Sequence, residues 1–385
     1  MLINSGRAYA QVEALKTDVT HTFGDTIQFR ADVVSTSPIK AAIIFFQADG
    51  DTRTNLGLAE VETHGFRRFD LTYVHSIEDY SFRPFSVVRF HWELTFQTGE
   101  TYTSPVEFFV YTDNRFDWQV LKEKNLSAHW YDGDLQFAQE ILDIAQDGLQ
   151  KIQNLLPVPE AGAIQIYTYA DSASLQSALN TGGESWVAGH ADPDLGVILI
   201  ALPKSPEQLL LARQRIPHEL MHVLLYRDVG SGYFNLPVWL REGLSSGAEL
   251  YPNPDYQILL DESVAQGRLL PMRSLCDAFP REASSALLSY AEAQSFTNYL
   301  HDRFGASGLE ALITAYANGM DCESGAERAL GKNLSQLERD WQREALSQNV
   351  ALKAFQNLLP WGVLLLAVLA VPLILALLNL RGSSL

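Results

Sequence analysis

The chain has 385 residues, 47% of them hydrophobic and 19% charged, so it is long enough for about two domains with packed cores. Its formal net charge of -18 argues against a nucleic-acid-binding protein, because such proteins need a basic surface to displace counterions from phosphates. Its two cysteines, Cys276 and Cys322, form no CxxC pair and predict neither a thiolate zinc site nor a thioredoxin-type redox site. They could form one disulfide in an oxidising compartment or remain two separate thiols.

Residues 1–118 predict an all-β domain. At 27–33 and 88–96, apolar and polar residues alternate with a period of two, which is typical of a strand with one buried face. Further β-like runs, separated by turn residues, lie at 41–47, 56–62, 69–74 and 106–111. About seven strands in this length favour a β-sandwich of immunoglobulin-like architecture.

The period changes after Asp117, and residues 119–350 predict an α+β domain. Apolar residues recur on one stripe at helical spacing over 135–156, which predicts an amphipathic helix. Strands are predicted at 164–169 and 196–202, and the second is apolar enough to be buried or to lie beside a substrate. The remainder, up to about residue 350, is predicted to be mainly helical.

Residues 351–385 predict a membrane anchor and a short tail. The run 361–378 reads WGVLLLAVLAVPLILALL and contains no charged residue. A bilayer core of about 30 Å requires about 20 apolar residues in a helix, so this run predicts a single C-terminal transmembrane helix. Lys353 and Arg381 flank the run on its two sides, so the positive-inside rule leaves the orientation open. A complete signal peptide is not recognised, which suggests either an upstream start or insertion from the tail.

Positions 218–222 read HELMH, an HExxH motif. Residues four apart in a helix lie on the same face, so His218 and His222 can direct two imidazole nitrogens to one metal ion. Glu219 is rotated by about 100° from His218 and can reach a metal-bound water without being a ligand. Pro217 fits the first turn of such a helix. Taken alone, the motif could also be a core helix with two hydrogen-bonded histidines.

A catalytic zinc takes three protein ligands and leaves one position for water, so a third ligand is required. A metzincin would need Gly and His where this chain has Leu225 and Asp228, and Asp228 could bind only after a sharp turn that Leu disfavours. Glu242 lies one turn into a second predicted helix in the run PVWLREGL at 237–244, and Gly243 would let that helix approach the first closely. The sequence therefore predicts a metal site of three ligands: His218, His222 and Glu242.

With nineteen residues between the second histidine and Glu242, this HExxH…E pattern resembles that of the gluzincins, such as the thermolysin-like peptidases and aminopeptidase N. The chain resembles the bacterial peptidase MA-like domain family over about 126–345. The segments that carry the resemblance are HWYDGD (129–134), WVAGHADP (186–193), IPHELMHVL (216–224), PVWLREGL (237–244) and SYAEAQSF (289–296). Arg241 stands where members of that family commonly have Asn, and Ser-Ser-Gly at 245–247 replaces a more usual Ala-Glu-Tyr-like stretch, but neither change affects a ligand or the base.

The resemblance implies a zinc metallopeptidase in which the three predicted ligands bind one Zn²⁺ per chain. Glu219 would be the catalytic base that activates a zinc-bound water for attack on the peptide bond. Tyr290 would be a second catalytic residue that donates a hydrogen bond to the oxyanion, with His190 as another possible donor. The strand at 196–202 would pair with the substrate backbone.

The predicted function is thus a membrane-anchored zinc-dependent metallopeptidase that acts on a peptide or protein substrate and binds no nucleic acid. Because similar proteins are exported, the resemblance implies soluble domains outside the cytoplasm, attached to the cell membrane. A catalytically inactive surface module with a metal-stabilised fold, or a zinc hydrolase of a non-peptide amide, are the alternatives. The sequence leaves open the substrate, endo- versus exopeptidase action and the oligomeric state.

Overall fold

The computed structural model describes residues 12–159, 162–179 and 189–346, with residues 358, 360, 361, 364–366, 368 and 370. By their contacts the described residues fall into two units, with divisions after Gln146, Pro159 and Glu219. The first unit contains the strands and the second most of the helices. Two of these divisions, after Gln146 and after Glu219, fall inside helices, so a helix continues from one unit into the other at each of them.

In the described residues, nine strands form the N-terminal region: β1 (Val12–Thr22), β2 (Thr26–Ser35), β3 (Ile39–Ala48), β4 (Asn55–Leu58), β5 (Glu60–His64), β6 (Arg68–Ser76), β7 (Val87–Phe96), β8 (Thr101–Thr103) and β9 (Glu107–Val110). They make two antiparallel sheets. One sheet has the order β1-β2-β6-β5, and the other has the order β4-β3-β7-β8, with β9 also paired to β7.

The two sheets enclose a core of aromatic and aliphatic side chains. Phe29 of β2 lies 5.0 Å from Phe46 of β3 and 5.5 Å from Phe90 of β7, measured between ring centres. These strands bury every second residue, because successive side chains of a strand point to opposite faces. Strand β1 was not predicted, since the side chains on its inner face are only partly buried and its alternation is correspondingly weak.

A five-stranded mixed sheet follows in the same unit of the described chain: β10 (Gln119–Glu123), β11 (Leu126–Trp130), β12 (Ile164–Tyr169), β13 (Gly189–Asp192) and β14 (Val197–Ala201). Its order is β10-β11-β12-β14-β13. The three inner strands are parallel, and the outer two are antiparallel to their neighbours. Helix α1 (Leu135–Leu155) connects β11 to β12, and α2 (Ser172–Leu179) follows β12.

The sandwich and the mixed sheet share a core. Phe85 stacks on Tyr167 of β12 with ring centres 3.5 Å apart. Asp113, which is fully buried, accepts a hydrogen bond from Tyr169 of β12 at 3.0 Å and two from the guanidinium of Arg115 at 2.6 and 2.7 Å. A buried carboxylate requires such partners, so this linker residue holds the sandwich to the sheet.

The second unit is helical. It contains the last turns of α1 and the C-terminal part of α3 (Gln208–Val229), both of which continue from the first unit. The elements that follow are the 3-10 turn Gly230–Asn235, α4 (Val238–Ala248), α5 (Asp255–Gln266), the 3-10 turn Met272–Leu275, α6 (Ala283–Ala317), α7 (Cys322–Leu330), α8 (Leu334–Trp341) and the π-helical turn Gln342–Leu346. Helix α6 is interrupted at Gly305, whose φ of 70° lies in the left-handed region. Trp239, Phe296 and Trp341 are fully buried and form the centre of this unit.

Cys276 and Cys322 form a disulfide that joins the segment before α6 to the start of α7. The backbone N–H of Val238 donates to the carbonyl of Cys276 at 2.8 Å, and the indole nitrogen of Trp239 lies 3.4 Å from the sulfur of Cys322. The disulfide therefore supports the first turn of α4, the helix that carries Glu242.

We expect the double substitution Cys276→Ser/Cys322→Ser to lower the free energy of unfolding by about 2–5 kcal/mol. The disulfide closes a loop across a sequence separation of 46, so its loss frees the unfolded chain. Urea unfolding with and without reductant measures the effect, and reduced wild type should approach the variant. Equal stability of the oxidised wild type and the variant would contradict a structural role for the bond.

The predicted fold class was wrong in its last element, the C-terminal transmembrane helix. Within the part of the chain that the structure describes, no helix is both long and apolar enough to cross a bilayer. A span requires one continuous helix of about 20 residues, and apolar composition alone does not establish such a helix. Much of that run lies outside the described residues. The described fold is an all-β region followed by a helix-rich region, and the predicted domain bounds 1–118, 119–350 and 351–385 stay predictions.

Candidate metal centre

Helix α3 carries the HExxH motif. The sequence had suggested that Pro217 lies in the first turn of this helix. The helix begins at Gln208, however, so Pro217 lies in its interior. Proline in a helix interior removes one backbone hydrogen bond and costs about 3 kcal/mol. The helix continues because the residues that follow are almost completely buried: Leu220, Met221, Val223, Leu224 and Leu225.

His218, His222 and Glu242 converge on one point. One potential ligand atom from each lies within 4.8 Å of the others, and His222 Nε2 is 3.6 Å from Glu242 Oε2. The histidines are one turn apart on α3, and Glu242 lies in the second turn of α4. Two imidazoles and one carboxylate form the donor set of a catalytic zinc site, so the three residues fit a zinc ion.

Gly243, next to the predicted ligand on α4, has a different contact from the one the sequence suggested. A Cβ atom at this position would overlap the backbone carbonyl of Ala293 and the hydroxyl of Thr297, both on α6. Glycine therefore permits the close approach of α4 to α6, rather than to α3. Because α6 supports α4 from this side, it helps to hold Glu242 in place.

The ring of His222 has polar neighbours on both nitrogens. The hydroxyl of Tyr233 lies 3.0 Å from Nδ1, and the hydroxyl of Ser245 lies 3.3 Å from Nε2. Arg241 stacks over the ring of Tyr233, with its guanidinium carbon 5.0 Å from the ring centre. When one imidazole nitrogen binds a metal, a hydrogen bond at the other sets the tautomer and the ring orientation. Tyr233 has the position for that second role.

Sequence reasoning missed Tyr233, and it noted Ser245 only as a departure from the family pattern. Tyr233 lies in the short 3-10 turn between α3 and α4, where no periodicity or motif marks it. A tyrosine eleven residues after a predicted ligand belongs to no motif that would predict contact with that ligand. Only the path of the turn back towards His222 brings its hydroxyl to the imidazole.

Glu219, the predicted base, is buried on α3 beside strand β13. A Cβ atom built on Gly189 of β13 would lie 2.5 Å from Glu219 Oε1. A larger residue here would therefore have to displace the carboxylate of Glu219 from its position. The edge of the mixed sheet thus runs alongside the carboxylate that the sequence assigned as the base.

The strand at 196–202 does not have the edge position that was predicted for it. It corresponds to β14, which pairs with β12 on one side and β13 on the other, and all its residues are buried. A run that is apolar on both faces is typical of an inner strand of a parallel sheet. Among the described strands the edge on this side of the sheet is β13, whose composition is too polar to have been predicted as a strand.

Tyr290 and His190 lie in different surroundings. Tyr290 is partly buried on α6, packs edge-on against Phe279 with ring centres 5.0 Å apart, and lies one turn before Ala293. His190 follows Gly189 in β13, so its side chain leaves the strand on the face opposite to Glu219. Its Nε2 is 3.6 Å from Asp192. Burial acts to lower the pKa of His190, but Asp192 and, more weakly, Glu219 raise it above its ordinary value. The donor role of Tyr290 stays a prediction.

Comparison with known proteins gives one family match. The family model of the Peptidase MA superfamily matches residues 144–347, just over half of the 385-residue chain. The match includes the HExxH motif of α3 and Glu242 of α4. No curated protein matches the chain.

Solved structures with similarity to this chain have low TM-scores. An aminopeptidase N family protein from Idiomarina loihiensis is 8% identical, with 85% of this chain and 76% of that chain covered and a TM-score of 0.39. A purple acid phosphatase from yellow lupin (Lupinus luteus) is 9% identical, with 40% and 29% covered and a TM-score of 0.23. A structure described as a myokine is 16% identical, with 25% and 89% covered and a TM-score of 0.17.

Proposed function

Because the chain belongs to the Peptidase MA superfamily, we propose that it is a zinc-dependent metallopeptidase of the gluzincin type. The observation that carries the proposal is the convergence of His218, His222 and Glu242, whose potential ligand atoms lie within 4.8 Å of one another. A zinc ion held by these side chains would polarise the substrate carbonyl and lower the pKa of a bound water to about 7.

Glu219 is the residue to which we assign proton transfer. It follows the ligand His218 directly in α3, and its carboxylate is buried next to Gly189. From this position it accepts a proton from the attacking water and later delivers a proton to the leaving amine. We further assign to Tyr290 of α6 a hydrogen bond to the developing oxyanion, on the resemblance to the gluzincins.

We assign recognition of the substrate backbone to β13. On one side this strand pairs with β14, and along its length Gly189 adjoins Glu219. An extended peptide that pairs with a sheet edge gains main-chain hydrogen bonds without a requirement for particular side chains. Because Gly189 has no side chain, a peptide bound along β13 can come close to the base.

The substrate in this proposal is a peptide or a protein, and the compartment is oxidising. The disulfide between Cys276 and Cys322 supports a location outside the cytoplasm, because disulfides persist where thiols are not kept reduced. Attachment to a membrane is not part of the proposal.

The proposal is tested with the purified full-length chain. We expect about one zinc per chain by elemental analysis, and cleavage of members of a proteome-derived peptide library. A chelator should abolish cleavage and added zinc should restore it. Protein that carries one zinc and cleaves no peptide would overturn the peptidase assignment, and protein that cleaves peptides equally well without metal would overturn the zinc assignment.

A further inference from the structure

Arg83, in the segment between β6 and β7, reaches from the sandwich to the turn that follows β13. Its Nη1 donates to Asp192 Oδ1 at 3.1 Å and to Asp194 Oδ1 at 2.7 Å, and its Nη2 donates to Asp194 Oδ2 at 2.8 Å. The same Nη2 donates to the carbonyl of Asp49 at 3.0 Å. The guanidinium thus joins three points: Asp49 on the sandwich, Asp192 at the end of β13 and Asp194 on the turn that follows it.

At this contact one guanidinium lies against two carboxylates that are largely shielded from water. Only 7% of the Asp192 side chain and 15% of the Asp194 side chain are exposed. The hydrogen bonds of Asp194 raise the pKa of Arg83 above its ordinary value. Burial acts to raise the pKa of Asp194, but the hydrogen bonds and charge of Arg83 outweigh it and lower that pKa. Removal of Arg83 would therefore leave two neighbouring carboxylates with no cation between them.

The backbone at Gly50 lies close to the ion pair between Arg83 and Asp194. Gly50 has a φ of 82°, and a Cβ atom there would overlap the guanidinium of Arg83 and the carboxylate of Asp194. The turn between β3 and β4 thus lies directly against the ion pair. The sandwich contributes a fitted surface at this point and not only one long side chain.

Among the described strands, β13 is held by β14 alone. It has four residues, each paired with β14, and among the described strands none pairs with its other side. Its N-terminal residue adjoins Glu219, and its C-terminal residue is Asp192, which Arg83 binds. A displacement of the turn would therefore shift the strand relative to Glu219, and with it the edge along which a peptide would bind.

We propose that Arg83 of the β-sandwich is a positioning residue for peptide substrates, which acts by holding the edge strand β13 in register with Glu219. The inference rests on the proposed peptidase function. It assigns a role to the N-terminal region that the family match, which begins at residue 144, does not cover. Because Arg83 touches neither the metal ligands nor Glu219, its loss affects how substrate is bound and not whether zinc is held.

The test compares Arg83→Ala and Arg83→Lys in the full-length chain, with the best peptide from the library as substrate. For Arg83→Ala we expect KM to rise by about 10-fold or more with a smaller change in kcat, unchanged zinc content, and faster hydrogen exchange of the amides at 189–195. Arg83→Lys should recover part of the loss, because lysine keeps the charge but not the two-pronged geometry. Asp194→Asn is a second route to the same contact and keeps the size of the side chain.

Arg89→Ala is the matched control. Arg89 is an exposed arginine of β7 whose guanidinium bonds Gln47 at 2.6 Å and does not touch the turn after β13. It should leave KM and hydrogen exchange at 189–195 as in wild type. If wild type cleaves peptide while Arg83→Ala and Asp194→Asn keep its KM and exchange, the inference is overturned and the peptidase function stands. If zinc-loaded wild type cleaves no peptide, the proposed peptidase function is overturned, and the role of Arg83 in substrate binding is overturned as well.

Discussion

Glu219→Gln is expected to lower kcat for peptide hydrolysis by about 10²–10⁴-fold while the protein keeps its zinc. Glutamine has nearly the size of glutamate, so the fit beside Gly189 is preserved, but an amide cannot accept the proton of the attacking water. The three predicted ligands are unchanged. Steady-state kinetics on a library-derived peptide and elemental analysis of the same preparation measure both halves of this prediction.

Glu207→Gln is the appropriate control for that substitution. Glu207 is an exposed carboxylate just before the start of the same helix, α3, and the same chemical change there should leave kcat as in wild type. Peptide cleavage that survives in Glu219→Gln at the wild-type rate would rule out Glu219 as the base. Loss of zinc from the variant would instead show that the carboxylate supports the metal site.

The second large effect is expected for Glu242→Ala, which removes the ligand contributed by α4. Loss of an outer partner of a metal ligand typically costs about 10–100-fold in metal affinity, and we expect loss of the ligand itself to cost more. Glu242 Oε2 lies 3.6 Å from His222 Nε2 and is the carboxylate of the predicted ligand set. Without it only the two imidazoles would remain, whereas a catalytic zinc takes three protein ligands. Competition with a chelating indicator measures zinc affinity without any reference to activity.

Glu262→Ala, an exposed carboxylate of α5, removes an equal charge from the same unit and should leave zinc affinity unchanged. Circular dichroism separates loss of a ligand from loss of the fold. A properly folded Glu242→Ala protein with wild-type zinc affinity would show that the third ligand lies elsewhere, and Asp228 would have to be reconsidered.

The two substitutions test two separate parts of the proposed function, proton transfer by Glu219 and zinc binding through Glu242. Glu219→Gln tests the chemistry at a retained metal, and Glu242→Ala tests the metal itself. The disulfide between Cys276 and Cys322 bears on the second part, because it supports the first turn of α4 through Val238 and Trp239. We therefore expect reduction of the disulfide to weaken stability first and zinc binding as a consequence.

Features that depend on near neighbours in the chain could be predicted from the sequence alone. The spacing of His218 and His222 places them on one helical face wherever the helix lies, so the motif was informative without a fold. The alternation at 27–33 and 88–96 marked β2 and β7 in the same local way. Hydropathy was a weaker guide. The composition of 361–378 is apolar enough for a membrane span, but no helix among the described residues is long and apolar enough to cross a bilayer.

What depends on residues distant in the chain was decided only by the tertiary structure. The approach of Gly189 to Glu219, the hydroxyl of Tyr233 at His222 and the reach of Arg83 to the turn after β13 each join separate elements. No period or motif encodes such contacts, because they arise from how whole elements pack. The HExxH…E pattern therefore predicted the metal site, while the packing determined which strand borders Glu219 and which residue binds the end of that strand.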